Sequence, residues 1–188
     1  VLVPQVVDAV NIPVFIGHNI FSPEDAEKML AEGNADFVAL GRSQLADPAW
    51  AKKAKEGRAS DIKPCINCLI GCIDRGMLSH TPIHCTVNPS LYRFECKPVE
   101  KAETRKQVAV VGAGPAGCEA ALTASKRGHQ VTIYEKRCIG GAMIEASKPE
   151  NKANIKRLIH YYEDHIMHDP NITLVKKEVE YETLVHRG

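Results

Sequence analysis

The sequence has no long apolar run and no marked excess of charge of either sign. No stretch approaches the roughly 20 apolar residues that a membrane-spanning helix needs, so the sequence predicts no transmembrane segment. The formal net charge is only +1, which indicates neither a nucleic-acid-binding nor a membrane-binding surface. With 188 residues, 44% of them hydrophobic, the composition is that of a globular protein with one large or two small domains.

An initiator methionine and a secretion signal are also missing. The opening VLVPQVVDAV has neither the basic start nor the small-residue cleavage site of a signal peptide. Val1 falls inside an amphipathic stretch, and the final YETLVHRG is not typical of a domain end. We therefore expect an internal fragment that is truncated at both ends.

The first 60 residues alternate short β-rich runs with helical patterns. Ser22 is a typical helix N-cap, with Pro23 at the first helical position and Asp25 placed to complete a capping box. Strand–helix repeats with short loops predict a parallel α/β sheet or barrel. The strands are predicted at residues 12–17 and 36–40, and the helices at residues 22–33 and 47–57.

The seven cysteines are the most informative residues of the chain, and five of them lie in its middle. Their odd number disfavours a complete disulfide framework, and four of them are closely spaced in a loop-rich segment, residues 58–100. This favours metal or cluster ligation in a reducing compartment, the cytoplasm. Thiolates suit soft metal centres, and a Cys-x2-Cys-x3-Cys turn with a fourth cysteine after twelve intervening residues fits a [4Fe–4S] cluster. The predicted ligands are Cys65, Cys68, Cys72 and Cys85.

Two alternatives stay open for this cysteine pattern. A structural zinc site usually presents two Cys-x2-Cys pairs, and the second pair is missing here, although a four-cysteine zinc site or incidental cysteines would also fit the count. The fourth ligand is less well defined than the first three, because Cys96 and His84 are alternatives to Cys85.

A glycine-rich turn, VAVVGAGPAG, follows a predicted strand and opens a predicted helix. Gly112, Gly114 and Gly117 form the GxGxxG pattern that binds a dinucleotide pyrophosphate at a helix N-terminus. Glu135, at the end of the next strand, is placed to accept the ribose hydroxyls, which favours FAD, NAD or ADP over NADP. The pair Gly140-Gly141 is either a second approach of backbone to a flavin nucleotide or a surface turn. In this part of the chain strands are predicted at 108–112, 130–135 and 172–175, and helices at 114–127 and 151–167.

This order of motifs, with LGRSQLADP before the cysteines and GAGPAG after them, resembles the iron–sulfur flavoenzymes of the NADH:flavin oxidoreductase (old yellow enzyme) superfamily. That group includes 2,4-dienoyl-CoA reductase, 2-enoate reductase and trimethylamine dehydrogenase. The resemblance implies an α/β fold made of three segments. Residues 1–60 would be the last βα units of an FMN-binding (β/α)8 barrel, residues 61–100 the iron–sulfur segment and linker, and residues 106–188 the first part of a Rossmann-like FAD-binding domain.

The same resemblance assigns binding roles to individual residues. The phosphate end of FMN would contact Gly17, His18, Gly41 and Arg42, although Arg42 could instead form a surface salt bridge. One departure is Ala142, where many relatives carry glutamine, and this puts one flavin contact in doubt. The FAD or ADP site would comprise Gly112, Gly114, Pro115, Ala116, Gly117, Glu135, Lys136 and Gly141.

The implied function is a relay of electrons from NAD(P)H through FAD and a [4Fe–4S] cluster to FMN, which reduces an activated C=C bond of an enoate or dienoyl-CoA substrate. No catalytic residue is expected in this stretch, because NAD(P)H and the substrate would bind through other segments, and the fragment alone should be inactive. Alternatives are an amine-dehydrogenase-like member with ADP in the second site, or a zinc-stabilised nucleotide-binding module without redox chemistry. The sequence indicates no oligomeric state.

Overall fold

The computed structural model describes residues 3–91 and 99–180. They belong to two compact units, residues 1–93 and residues 94–188, each of which is described by itself below.

The first unit begins as a strand–helix repeat. Phe15 pairs with Phe37 in a two-stranded parallel sheet, and the predicted capping box of Ser22 and Asp25 is confirmed, with both hydrogen bonds at 3.1 Å. Both strands are shorter than predicted, and just before them the Asp36 carboxylate accepts the Val14 N–H. The elements are α1 (Val3–Ala9), β1 (Phe15–Ile16), α2 (Pro23–Ala31), β2 (Phe37–Val38), α3 (Arg42–Ala46) and α4 (Trp50–Lys55).

The cysteine segment continues this unit and contains more helix than predicted. After a 3₁₀ turn at Ala59–Asp61, a π-helix spans Ile70–Leu78, whereas the sequence had indicated only loops. Wide-turn bonds such as Asp74 N–H to the Leu69 carbonyl, 3.0 Å, replace the usual α-helical ones. Ile70, Ile73, Met77 and Leu78 do recur at helical spacing, but the cysteines, glycines and prolines of the segment favoured a loop in the prediction.

The second unit is a three-stranded parallel sheet with helices, in the order β3-β4-β5. Ile133 of the central strand lies beside Val110 and Leu174, and it is completely buried together with Tyr162 and Ile166 of the long helix. The predicted strands and helices are confirmed, and one short helix, α6, is additional. The elements are β3 (Gln107–Val111), α5 (Pro115–Lys126), β4 (Gln130–Tyr134), α6 (Ala142–Ala146), α7 (Ala153–Met167) and β5 (Ile172–Val175), with a 3₁₀ turn at Glu150–Lys152.

Within the described parts of both units, no helix has the length and apolar character required to cross a bilayer.

Candidate functional site

Four free cysteines of the first unit line one cavity. Cys65 is buried, and Cys68, Cys72 and Cys85 are half-buried. Gly71 makes the close approach feasible, because any Cβ on it would collide with the carbonyl of His84, whose N–H donates to the Gly71 carbonyl at 2.8 Å. The four predicted cluster ligands therefore lie on two backbone segments, which the hydrogen bond and the close contact between Gly71 and His84 hold side by side.

The thiol of Cys65 is held in an environment that disfavours an isolated charge. Burial raises its pKa, while the Asn67 N–H, 3.4 Å from Sγ, and the Arg42 guanidinium lower it, and the nearby sulfurs of Cys85 and Cys68 oppose them. The net pKa is above that of an ordinary thiol. A bound metal centre would replace the proton and compensate the charge.

The sequence offered two alternatives to Cys85 as the fourth ligand, and the structure describes one of them. His84 lines the same cavity as Cys85, and Cys96 lies outside the described residues. Within residues 3–91 and 99–180, no three ligand-type side chains are close enough together to hold a single metal ion directly. The thiols share one cavity without converging closely enough to hold a single ion.

Arg42 connects this cavity to the end of the two-stranded sheet. Its guanidinium donates to the amide oxygens of Asn67 and, at 2.9 Å, of Asn19, and it lies 5.6 Å from the ring centroid of Phe21. No salt bridge to Arg42 is found among the described residues, and the side chain lines the cysteine cavity. Sequence reasoning missed Asn19 and Asn67, which both have a left-handed backbone (φ 56° and 54°) that asparagine adopts more readily than most residues.

Two residues of the loop after β1 have a left-handed backbone. His18 and Asn19 both adopt positive φ, 83° and 56°, a conformation that is uncommon for non-glycine residues. Successive N–H groups in such turns form concavities that bind anions. Gly17 and Gly41 have room for a Cβ, so neither is sterically required, and Gly41 is the N-cap of the five-residue helix that carries Arg42. The four residues predicted for a flavin phosphate thus lie at the carboxyl ends of the two paired strands.

The glycine-rich loop of the second unit has the geometry of a pyrophosphate site. Gly112 has φ 91°, and a Cβ on Gly117 would clash with the Gly112 carbonyl, so helix α5 packs on the strand only with glycine there. A Cβ on Gly114 would point into open space, where a ligand would lie. Pro115 and Ala116 form the first turn of α5, whose N–H groups have no partners within the helix.

Glu135 is engaged with the backbone of this loop. Its carboxylate accepts the N–H of Ala113 and the N–H of Arg137, both at 2.8 Å. These backbone donors, Ala113 first, lower the pKa of Glu135. Glu135 thus stays ionised near neutral pH and fixes the glycine loop against the end of β4.

A cavity opens beside Glu135 at the ends of the three strands. The predicted residues Gly112, Glu135 and Lys136 line it, together with Lys177 and Glu178, which sequence reasoning missed. Lys136 forms an exposed ion pair with Glu178 at 2.6 Å. Lys177 and Glu178 follow β5, and only the three-dimensional pairing of β5 with β4 brings them here.

The double glycine is part of this site and not a separate surface turn. Gly140 N–H donates to the Ala113 carbonyl at 2.8 Å, and a Cβ on Gly141 would lie 3.0 Å from the Gly114 Cα. Both glycines have positive φ. They allow a second backbone segment to lie directly against the glycine-rich loop, next to Ala142 at the start of α6.

Comparison with known families gives two matches on this one chain. Residues 4–61 match the NADH:flavin oxidoreductase / NADH oxidase family, and residues 106–186 match the pyridine nucleotide-disulphide oxidoreductase family. The fold class predicted from the sequence is confirmed by these matches: the closing part of a (β/α)8 barrel, a cysteine segment, and the first half of a Rossmann-like domain.

Individual proteins extend across both parts. The chain is 50% identical over 157 residues to an NADH oxidase of Thermoanaerobacter brockii, covering 82% of this chain and 24% of that protein. It is 35% identical over 155 residues to a cinnamate reductase of Clostridium sporogenes, covering 82% and 23%. A 2-naphthoyl-CoA reductase in complex with 2-naphthoyl-CoA superimposes with a TM-score of 0.89 at 32% identity, covering 96% of this chain and 28% of that one. The chain thus spans about a quarter of the length of the relatives it matches.

Proposed function

Because the chain belongs to the iron–sulfur flavoenzymes of the NADH:flavin oxidoreductase family, we propose that it forms the electron-transfer section of an oxidoreductase. In this proposal electrons from NAD(P)H pass through FAD and a [4Fe–4S] cluster to FMN and reduce an activated C=C bond of an enoate or dienoyl-CoA type. The likeness to an NADH oxidase supports a nicotinamide nucleotide as the electron donor. The likenesses to a cinnamate reductase and a 2-naphthoyl-CoA reductase support an unsaturated acid or its CoA ester as the electron acceptor.

The observation that carries the proposal is the cysteine cavity with Arg42 at its wall. Four free thiols face one space, and the guanidinium beside them also bonds Asn19 of the loop proposed to hold the FMN phosphate. One arginine therefore touches both the predicted cluster segment and the predicted flavin phosphate loop. Such contiguity is expected where electrons pass between two centres held by one protein unit.

When bound, the flavins supply hydride transfer and the cluster supplies one-electron transfer. The chain's own residues bind and orient these groups. Cys65, Cys68, Cys72 and Cys85 would hold the cluster, and Arg42 with the N–H groups of the His18–Asn19 turn would hold the FMN phosphate. The cysteines require a reducing compartment, so we place the protein in the cytoplasm.

The second unit would bind FAD through backbone rather than side chains. The space in front of Gly114 would accept the pyrophosphate, and the first turn of α5 would face it with unpaired N–H groups. Glu135, kept ionised by its backbone donors, lies at the cavity where the adenosine ribose would bind. Lys136 and Gly141 border the same loop.

Cofactor analysis of the purified holoprotein tests the proposal. We expect about four irons and four acid-labile sulfides per chain, with FAD and FMN in equal amounts. Cys72→Ala should lose the iron, whereas Cys138→Ala, which removes an exposed cysteine of the other unit, should retain it. Iron retained in the Cys72 variant would contradict the ligand assignment.

The same analysis separates the alternatives. One flavin per chain, together with bound ADP, would indicate an amine-dehydrogenase-like protein whose second site holds ADP. Zinc without iron or sulfide would indicate a zinc-stabilised nucleotide-binding module and would overturn the redox proposal.

A further inference from the structure

A threonine hydroxyl lies against one of the four cavity thiols. Thr86 directly follows Cys85, and its Oγ1 is 3.2 Å from the Sγ of Cys68, eighteen residues earlier in the chain. Both residues line the cysteine cavity. No sequence motif pairs these two positions, because only the return of the chain at Cys85 brings them together.

The direction of this hydrogen bond follows from the chemistry of ligation. Between a thiol and a hydroxyl, either group can donate. A cysteine that binds iron does so as a thiolate and has no proton to give. With a cluster in the cavity, the Thr86 O–H must therefore donate and the Cys68 sulfur must accept.

We propose that Thr86 is a positioning residue that sets the reduction potential of the cluster through its bond to Cys68. This inference rests on the proposed function, since it requires a cluster in the cysteine cavity. Reduction adds one electron, taken from a reduced flavin, and the added negative charge spreads onto the ligating sulfurs. A donor to one of those sulfurs stabilises the reduced form more than the oxidised form and raises the potential.

Thr86 is the donor that can be removed by itself. Cys65 also receives a hydrogen bond, from the Asn67 N–H at 3.4 Å, but that donor is backbone and survives side-chain substitution. Thr86 is exposed at the edge of the cavity, so its side chain can change without disturbing a packed core. Valine keeps the branched shape of threonine and lacks the hydroxyl, whereas serine keeps the hydroxyl.

The experiment is a redox titration of the cluster in the purified holoprotein, followed by electron paramagnetic resonance of the reduced cluster. Thr86→Val should shift the midpoint potential to a more negative value, and Thr86→Ser should restore it toward that of the wild type. Thr81→Val is the matched control in the same loop, because Thr81 donates to the Arg75 carbonyl at 3.4 Å and not to a sulfur. Its potential should not move.

Each outcome decides the question. An unchanged potential in Thr86→Val with full iron and sulfide overturns the inference and leaves the proposed function intact. If Thr86→Val loses iron, Thr86→Ala is titrated instead, and loss of iron there as well would show a structural role in place of tuning. A wild-type protein without iron and sulfide would contradict the proposed function itself, which the cofactor analysis reveals before any titration.

Discussion

The cysteine segment and the three-stranded sheet are ordered by different means. In the second unit, called the sheet unit from here on, Ile133 and Cys118 are 0% exposed and Tyr162 only 2%. In the π-helix of the cysteine segment, Met77 and Leu78 are 67% and 71% exposed. The sheet is therefore stabilised by apolar burial, whereas the π-helix exposes apolar side chains, and its segment buries Ile62 and Val87 while its thiols line a cavity.

Backbone strain shows the same contrast. Among the described residues, every non-glycine residue with positive φ lies in the first unit, and three of them are in the cysteine segment: Asn67, Leu69 and His80. In the sheet unit only glycines have positive φ. Each such non-glycine residue destabilises the fold by about 1–3 kcal/mol, so the cysteine segment needs a compensating interaction. A bound cluster is that interaction under the proposed function.

Removal of the cluster should give the largest difference between the two regions in hydrogen-exchange protection. With iron and sulfide chelated away, the amides of residues 62–91 should lose nearly all protection from hydrogen exchange, because opening free energies there would fall to about zero. Amides of β3, β4 and β5 should keep theirs, since apolar packing holds them. Hydrogen exchange read by mass spectrometry compares both regions in one sample.

The Cys138→Ala protein, treated in parallel, controls for effects of the chelator on an unrelated thiol. Equal protection of the cysteine segment with and without iron would mean that it folds by packing alone, and the contrast between the regions would be wrong.

Sequence reasoning succeeded where the determining interactions are local. The capping box at Ser22 joins residues three apart, and the helix over residues 153–167 follows from the spacing of Leu158, Ile159, Tyr162 and Ile166. The strands of the sheet unit were found from their β-branched and aromatic residues, although β3, predicted as a buried strand, is half exposed.

It failed where distant segments determine the local structure. In the π-helix, Gly71 lies against the His84 carbonyl, thirteen residues away in sequence, and no local pattern indicates this contact. The bonds from Arg42 to Asn19 and Asn67 span more than twenty residues each. Helices of five residues, at 42–46 and 142–146, are too short to show a period. Site residues that only tertiary contacts bring together were therefore missed.

Two glycines of the pyrophosphate loop should respond differently to the same substitution. Gly117→Ala should lower the free energy of unfolding of the sheet unit by about 1–3 kcal/mol, because its Cβ would collide with the Gly112 carbonyl. Gly114→Ala, with φ −72° and open space for the Cβ, should change that free energy by less than about 1 kcal/mol. Its methyl group would nevertheless occupy the proposed pyrophosphate space and weaken ADP binding.

Urea unfolding followed by circular dichroism and ADP titration by calorimetry give the two measurements, and each variant is the control for the other. Normal ADP affinity in Gly114→Ala would remove the pyrophosphate from the position assigned to it. Normal stability in Gly117→Ala would show that the helix can move off the strand, contrary to the dependence of this region on close packing.

The smallest expected effect concerns Glu135 and the pH dependence of the sheet unit. Its pKa in the folded protein is lowered, chiefly by the Ala113 N–H, so the carboxylate stabilises the fold above its unfolded pKa of about 4.3. That contribution is lost as the pH falls through the lower folded value. Solvent screening at this partly exposed site limits it to less than about 1 kcal/mol. Glu135→Gln should therefore be less stable than wild type at neutral pH, and the difference should shrink in acid.

Urea unfolding at pH 7 and pH 3 measures that difference, with Glu103→Gln as the control because Glu103 is an exposed glutamate of the same unit. A gap between wild type and Glu135→Gln that does not narrow in acid would show that the carboxylate is not held by the Ala113 and Arg137 amides in solution. In that case the Glu135 carboxylate would not fix the glycine loop, and the polar contribution in the sheet unit would come from other side-chain bonds, such as Ser125 Oγ to Asp169 at 2.6 Å. The contrast between the two regions would then be sharper than the structure indicates.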